Sequence, residues 1–302
     1  MPRWLKLIGR VVGVLLLVIV VGAALAYGVA GHRIGRKYDV AATPLTVPIV
    51  RDSATIARGH HLVLAIGKCV DCHGENMAGT VVINDKAFGH LSGANLTGGN
   101  GSSLAQYTDA EVARVIRRGV KRDGTSLLFM PVTDFSHFSD PDVAAIIAYL
   151  RSLTPVDHVG EPQVLGPIAR MLILGGKTPV VLPASHVRDD APHPTVPAGV
   201  TVQYGEYLAH VGGCFGCHGD HLGGGPVPGG PPEWPPARNL TPAALGAWTE
   251  ADFTRVLREG LRPDGHALSA AMPWKYTRYM TDDEIRAVWM FLQTVPPVHA
   301  KS

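Results

Sequence analysis

The sequence has few cysteines, few charges and no long run of alternating polar and apolar residues, and each shortage excludes a class of protein. Four Cys among 302 residues are too few for a disulfide-dense small domain. Charged residues make up 17% of the chain and hydrophobic residues 46%, which fits a folded protein and not a disordered one. The surplus of basic residues lies within residues 1–50, and the remainder is neutral to weakly acidic. The broad basic surface of a nucleic-acid-binding protein is missing, so we expect no nucleic acid partner.

One uncharged run, Val11 to Gly31, has 21 residues and is rich in Val, Leu and Ile. As a helix it would span about 31 Å, which matches the hydrocarbon core of a bilayer. It predicts a membrane helix within an N-terminal anchor, residues 1–32. A cleaved signal peptide is the alternative, because Ala24-Leu25-Ala26 has the pattern of a cleavage site. The run exceeds the roughly 7 to 15 residues of a signal core, so we expect it to be retained. Each flank carries three basic residues, so the positive-inside rule does not determine the orientation.

All four cysteines fall into two CxxCH motifs, Cys69-Val70-Asp71-Cys72-His73 and Cys214-Phe215-Gly216-Cys217-His218. CxxC alone also fits half a zinc site, a redox pair or a short disulfide, but CxxCH is the attachment signature of c-type haem. Two thiols at this spacing reach two vinyl groups of one porphyrin, and the adjacent His reaches the iron as its proximal ligand. The two motifs are 145 residues apart, far from usual zinc-ribbon spacing. We therefore predict two covalently bound haem c groups, attached through all four cysteines, with His73 and His218 as iron ligands.

The two halves of the chain repeat each other beyond the cysteines. Asn-Leu-Thr follows each haem motif at 95–97 and 239–241, and an aromatic-Thr-acid-Ala-acid pattern follows at 107–111 and 248–252. Asp-Gly recurs at 123–124 and 264–265, and Met-Pro at 130–131 and 272–273. The offset between the halves drifts only from 146 to 141 residues. The chain is a tandem duplication of one unit of about 100 residues.

Each unit is predicted to be all-α, because its apolar residues recur at helical spacing and no strand-like alternation is long enough for a sheet. Thr108 and Thr249 predict the start of a middle helix, and Gly119 and Gly260 its end. Ser139 and Thr281 similarly predict the start of a last helix. We expect one domain at residues 50–158 and a second at 200–299.

The segment between the units, residues 159–199, contains seven Pro in 41 residues and predicts an extended linker. Its apolar piece, Val164 to Leu174, could be a short helix on a domain or on a membrane surface, and packing on a domain is the preferred interpretation. A second stretch, Gly223 to Pro236, holds six Pro and five Gly and includes Trp234. It predicts a loop over one haem edge, at the position that Met77 to Gly93 occupies in the first unit.

The sixth iron ligand distinguishes an electron carrier from a catalyst. Met130 and Met272 stand at equivalent positions, each before a Pro and about 60 residues after its CxxCH motif. Pro favours the extended loop that can direct a thioether at the second face of a haem. We predict that Met130 and Met272 are the distal ligands, with Met77 and Met280 as the fallback and with Met171 and Met290 in the core. The remaining histidines are expected to be ordinary surface or core residues: His60, His61, His90, His137, His210, His221 and His266.

These motifs resemble class I, Met-ligated c-type cytochrome domains in tandem, as in the cytochrome c subunits of bacterial membrane-bound alcohol, aldehyde and gluconate dehydrogenases. The resemblance covers residues 50–299 and includes CxxCH, Asn-Leu-Thr, Asp-Gly, Met-Pro and the closing helix Ala148-Tyr149-Leu150-Arg151-Ser152-Leu153. Those subunits usually carry three haem domains, whereas this chain has two. The resemblance implies an N-terminus in the cytoplasm and both haem domains on the periplasmic side of a bacterial inner membrane.

The leading functional hypothesis is a membrane-anchored di-haem relay for single electrons, with no catalytic residues of its own. The donor would be a membrane-bound or periplasmic dehydrogenase, and the acceptor a respiratory partner such as a quinol or oxidase component or a soluble cytochrome. A di-haem peroxidase is the rival, but it needs one open haem face, and both units carry Met-Pro. A haem-based sensor would need a cytoplasmic signalling domain, and ten residues precede the apolar run.

The duplication predicts a chain that carries two haems through thioether bonds. The intact mass should exceed that of the polypeptide by two haems, and haem staining should persist after denaturing electrophoresis. A mass increase of one haem, or loss of haem on acid extraction, would contradict the prediction.

Overall fold

The computed structural model describes residues 2–42, 44–176, 178–187, 193, 195–231 and 233–299. The first element is helix α1, Arg3–Gly35, in which Ala30 is the one buried residue. By length and composition α1 could cross a membrane, so the helix predicted from the uncharged run is confirmed. Of the predicted linker, residues 177, 188–192 and 194 lie outside the described residues, as does Pro232 of the predicted haem-edge loop.

The first unit follows the predicted order of short helices. Its elements are α2 (Ser53–His61), which continues as a π-helical turn (Leu62–Ile66), then α3 (Val70–His73), β1 (Val81–Asp85), β2 (Gly89–Ser92), α4 (Asp109–Arg118), α5 (Val132–Phe135) and α6 (Asp140–Ser152). Thr108 forms the predicted capping box with Glu111, and Gly119 ends α4 in the left-handed conformation. Ser139 caps α6 by accepting a hydrogen bond from the Asp142 N–H.

The second unit repeats this order. Its elements are α8 (Val202–Val211), α9 (Cys214–His218), α10 (Pro242–Leu245), α11 (Glu250–Glu259), α12 (Trp274–Thr277) and α13 (Asp282–Thr294), and they follow β3 (Val164–Leu165) and α7 (Pro167–Gly175) along the chain. Thr249 and Thr281 form capping boxes, and Gly260 ends α11 as Gly119 ends α4.

A glycine in the first helix of each unit lets that helix lie directly on the last helix. A Cβ added at Gly59 of α2 would lie 2.0 Å from the Ala145 carbonyl oxygen of α6. A Cβ added at Gly205 of α8 would lie 1.9 Å from the Ala287 oxygen of α13. Only glycine leaves room for the two backbones at these crossings.

A small antiparallel sheet in the order β1-β2-β3 is an addition to the predicted all-helical fold. Its strands have five, four and two residues, too short to show an alternating pattern in the sequence. β3 comes from the predicted linker and pairs with β2 through Gly89 and His90. The helix α7 confirms the preferred interpretation of the apolar piece, which is a short helix packed on a domain. With β3 and a 3₁₀ turn at Pro183–Ser185, it shows that residues 164–176 and 178–185 are folded against the first unit, where the Pro content of the linker had predicted an extended chain.

The two units pack against each other through a pair of buried carboxylates. Asp142 and Glu284 occupy equivalent positions in the first turns of α6 and α13. The Tyr207 hydroxyl of the second unit donates to Asp142 at 2.6 Å, and His61 of the first unit contacts Glu284 at 2.8 Å. Arg58 bridges both carboxylates, at 3.0 Å from Asp142 and 3.4 Å from Glu284. Each unit therefore supplies a partner for the other's buried charge, and one continuous apolar core includes residues of both.

The glycine crossings predict a steric effect of substitution. Gly205→Ala should lower the free energy of unfolding by about 1–3 kcal/mol, because the added methyl group meets backbone and not a movable side chain. Gly175→Ala at the end of α7 is the matched control, since a Cβ there has no atom within 4 Å. Denaturant unfolding followed by haem absorbance measures both. Equal stability of the two variants would show that the crossing can adjust.

Candidate haem sites

The first CxxCH motif forms the whole of α3 together with its N-cap residue Cys69, and a backbone carbonyl holds His73 in place. The His73 Nδ1 lies 2.7 Å from the Ala94 carbonyl oxygen, and since a carbonyl can only accept, Nδ1 carries the proton. Burial lowers the pKa of His73, which keeps the ring neutral. Nε2 is then the unprotonated nitrogen that can bind iron.

The second motif repeats this geometry in α9. The His218 Nδ1 donates to the Arg238 carbonyl oxygen at 2.6 Å, and burial lowers the pKa of His218 as well. A carbonyl that orients the non-coordinating nitrogen is the usual second partner of a ligating histidine. Both predicted proximal histidines therefore present a free Nε2.

The repeated Asn-Leu-Thr motif ties each post-CxxCH loop to the chain that follows the last helix. Asn95 Oδ1 accepts from the Thr97 N–H at 2.9 Å, while Asn95 Nδ2 donates to the Val156 oxygen at 2.8 Å. In the second unit, Asn239 accepts from the Thr241 N–H at 2.8 Å and donates to the Val298 oxygen at 2.6 Å. The motif is therefore a structural clamp, and the carbonyls that orient His73 and His218 directly precede it.

An apolar cavity lies beside each histidine. The second unit's cavity, of about 510 Å³, falls within the size range of cofactor pockets. The first unit's cavity is smaller, about 160 Å³, but it brings together the same kinds of group: both motif cysteines, the histidine, a methionine and aliphatic side chains. The donor set and the apolar lining of both cavities fit a haem c. Val227, Pro235 and Pro236 of the predicted haem-edge loop line the larger cavity.

Met130 lines the cavity of His73, and Met272 lines that of His218. The fallback methionines also line these cavities, Met77 in the first unit and Met280 in the second. Met77 is matched in the repeat by Leu222, since both have positive φ and both accept a hydrogen bond from the Leu of Asn-Leu-Thr at 2.8 Å. Leucine cannot ligate iron, so Met130 and Met272 remain the pair that both units share.

The expectation that Met171 and Met290 are core residues is wrong. Met171 is 70% exposed on α7, and Met290 is 36% exposed on α13. Both helices bury another face, and the sequence pattern did not reveal which side these two methionines occupy.

The cysteines show no sign of a zinc site. Within the described ranges, no group of three or more His, Cys, Asp or Glu side chains could hold a metal ion. Burial raises the pKa of Cys69 to about 12 and that of Cys72 to about 11, so these thiols are not stabilised as thiolates.

None of the seven histidines expected to be ordinary residues lines either cavity.

Comparison with known proteins identifies the family. The cytochrome c family model matches residues 56–154 and again residues 202–296, together more than half of the chain. The chain belongs to the cytochrome c family. Two such units in tandem account for two covalently bound haem c groups, and the protein is an electron-transfer protein, as the motifs predicted.

Several relatives share most of this cytochrome's length. The cytochrome c subunit of alcohol dehydrogenase (quinone) from Gluconacetobacter polyoxogenes is 30% identical, over 86% of this chain and 60% of that protein. A diheme cytochrome c-type protein of Cereibacter sphaeroides is 28% identical, over 84% of this chain and 93% of that protein. The fructose dehydrogenase cytochrome subunit of Gluconobacter japonicus is 25% identical, over 80% of this chain and 53% of that protein. The chain thus spans only a little over half of these two dehydrogenase subunits.

The two cavities of this cytochrome meet at Lys68, which is the one residue within the described part of the chain that lines both. Its Nζ donates to the Ile66 oxygen at 2.8 Å in its own unit and to the Gly212 oxygen at 2.7 Å in the other. Burial lowers the pKa of Lys68, while the nearby Cys214 and Asp134 favour its charged form. Burial also raises the pKa of Asp134 to about 7, and Lys68 opposes this rise. The sequence analysis did not single out Lys68. The sequence does show that Lys68 directly precedes one CxxCH motif and that the repeat has Gly213 at the same place.

The turn after each Met-Pro packs near the CxxCH motif of the other unit. Asp134 of α5 lies against Gly216 of the second motif and against Gly213, which directly precedes that motif. At the equivalent place, the Tyr276 hydroxyl of α12 donates to Asp71 of the first motif at 2.9 Å. This reciprocal contact brings the two haem attachment segments together at the interface between the units.

Lys68 predicts an electrostatic effect on both haems. A unit charge roughly 10 Å from an iron, at an effective dielectric constant of about 20, is worth about 1–2 kcal/mol. For a one-electron couple this is on the order of 50 mV. Lys68→Met should lower both reduction potentials, because a cation disfavours the more positive oxidised iron. Spectroelectrochemical titration measures this, with Lys86→Met in the exposed β1–β2 turn as control. A change confined to one haem, or an equal change in the control, would contradict the prediction.

Proposed function

We propose that this cytochrome relays single electrons from a dehydrogenase to a respiratory acceptor through its two haems. Haem c supplies a one-electron couple at each site when it is bound. The observation that carries the proposal is that two apolar cavities, each with a histidine whose Nε2 is free, share the wall formed by Lys68. A protein with this arrangement can hold two redox centres side by side in apolar surroundings.

We infer the following roles for the site residues. Cys69, Cys72, Cys214 and Cys217 form the thioether bonds, and His73 and His218 are the proximal ligands. Met130 and Met272 are the distal ligands. The support for the methionines is their equivalence in the duplication, the same Met-Pro turn in both units and their position in the two cavities.

The donor and the site of action are inferred from the relatives and from α1. Relatives named as cytochrome c subunits of alcohol and fructose dehydrogenases support a membrane-bound or periplasmic dehydrogenase as the donor. The acceptor is a quinol or oxidase component of the respiratory chain or a soluble cytochrome. The helix α1 anchors the chain in a bacterial inner membrane, and the haem units, at residues 50–158 and 200–299 with 159–199 between them, lie on the periplasmic side. In bacteria, haem c is attached to proteins on the periplasmic side of the inner membrane, and this supports the orientation.

A di-haem peroxidase is less well supported by the site. Peroxide chemistry needs an iron with one open position, whereas each unit has a methionine in the same cavity as its histidine. The relatives named above are cytochrome subunits and a diheme cytochrome, which also favours electron transfer over catalysis.

The ligand assignment predicts separable effects on the two haems. Met130→His should lower the potential of one haem, and Met272→His that of the other, because methionine ligation raises the potential. We expect shifts on the order of 100 mV, within the roughly 0.8 V range that axial ligands span. A redox titration of each variant resolves the two transitions, and each variant should also lose one sulfur-to-iron charge-transfer band in the near infrared.

Met77→Leu is the matched control, since it copies Leu222 of the second unit and should leave both potentials nearly unchanged. If Met77→Leu abolishes the charge-transfer band and Met130→His does not, the ligand of the first haem is Met77. Appreciable peroxidase turnover by the unaltered protein would contradict the relay function itself.

A further inference from the structure

The helix α7 lies against the C-terminal end of α1. The Arg33 side chain of α1 donates to the last-turn carbonyls of α7, at 2.6 Å from the Ile173 oxygen and 3.1 Å from the Leu174 oxygen. In return, the Arg170 guanidinium of α7 lies 4.1 Å from the centre of the Tyr27 ring of α1. These contacts join α7 to the last two turns of the long apolar helix.

The helix α7 is apolar on both of its faces. Ala169 and Ile173 are buried in a cluster that also contains Leu91, Leu165, Val181 and Leu182. On the other face, Met171 is 70% exposed and Ile168 is 49% exposed. Arg170 is the only charged residue among residues 162–176. A helix with this composition normally has a partner for its second face.

The position of α7 along α1 identifies that partner as lipid. The uncharged run of α1 ends at Gly31, and α7 contacts α1 between Tyr27 and Ile34. If the run spans a bilayer, this level is the boundary between acyl chains and headgroups, where tyrosine and arginine side chains are typically found. The exposed face of α7 is therefore adjacent to the apolar surface of α1 and at the depth of an interfacial helix.

We propose that α7 lies in the headgroup region of the bilayer and is a second membrane contact of this chain. The inference rests on the proposed function, because it assumes that α1 spans the membrane. The segment after α7, at residues 180–182, is hydrogen-bonded to the loop that carries Met130. The Met130 N–H donates to the Val180 oxygen at 2.9 Å, and the Leu182 N–H donates to the Leu128 oxygen at 3.1 Å. The first haem unit is thereby held close to the membrane surface, and a membrane-embedded partner would meet the Met130 loop first.

Single cysteines in the full-length cytochrome test the position of α7. Met171→Cys and Ile168→Cys test the exposed face of α7. Leu17→Cys tests whether α1 spans the bilayer. Val159→Cys is the control for a site in water, since Val159 is 77% exposed. Each variant, loaded with both haems, is reconstituted in vesicles of phosphatidylethanolamine and phosphatidylglycerol. A charged maleimide measures access from water, and a carbene probe confined to lipid measures access from the bilayer.

We expect Cys at positions 171, 168 and 17 to react with the maleimide at least tenfold more slowly than Cys at 159. The carbene probe should modify the peptides that contain residues 17 and 171 and not the peptide that contains the exposed Tyr279 of the second unit. A protected residue 17 with a reactive residue 171 would overturn the position of α7 and leave the anchor intact. A reactive residue 17 would overturn the anchor and the inference with it. Protection of residue 171 without carbene labelling would show that a second copy of the chain, and not lipid, covers α7.

Discussion

The buried carboxylates Asp142 and Glu284 are the constraint on which the arrangement of the two haem units depends. Each stands in the first turn of a last helix, where the helix dipole favours negative charge. Burial alone would raise the pKa of Glu284, but the hydrogen bonds from His61 and from the Thr281 N–H hold this pKa below its usual range. Glu284 takes its side-chain partners, His61 and Arg58, from the first unit, whereas Asp142 is paired with Arg58 of its own unit and also accepts from Tyr207 of the second. A buried charge without its partner is costly, so the pairing favours one relative position of the units.

That relative position brings the chemistry of the two sites together. With the first turns of α6 and α13 linked through Arg58, α5 lies against α9 of the second unit. The helix α12 contacts the π-helical turn of the first unit and reaches its CxxCH motif through the hydrogen bond from Tyr276 to Asp71. Lys68 then reaches across the interface to the Gly212 oxygen and lines both cavities. The result is an asymmetric feature in a duplicated protein, because the repeat has Gly213 where the first unit has Lys68. One cation thus acts on two sites that are otherwise built from the same parts.

The first unit also differs from the second in how it is connected to the rest of the chain. Its hairpin β1–β2 occupies the place of the Pro- and Gly-rich loop in the second unit, and β3 extends this hairpin with residues from between the units. The buried residues of α7 and the segment 180–182 pack on the same surface. The polypeptide after the first unit therefore turns back and joins the end of α1 to the loop of Met130. The second unit meets this assembly at its interface with the first unit, and Gly229 of its Pro- and Gly-rich loop lies beside Thr178 of the segment after α7.

The sequence by itself determined the cofactor, the duplication and the main helices, because each depends on residues that are close together in the chain. CxxCH places two thiols and an imidazole on one short helix, and the capping residues Thr108, Thr249 and Thr281 act within three residues of themselves. The tertiary structure decided the rest. The partners of Asp142 and Glu284, the position of Lys68 between two cavities and the exposed face of α7 all depend on residues more than 60 positions apart. Strands of two to five residues leave too weak a pattern in the sequence to be predicted, and so does the side of α7 on which Met171 lies. Both are determined by packing against distant segments of the chain.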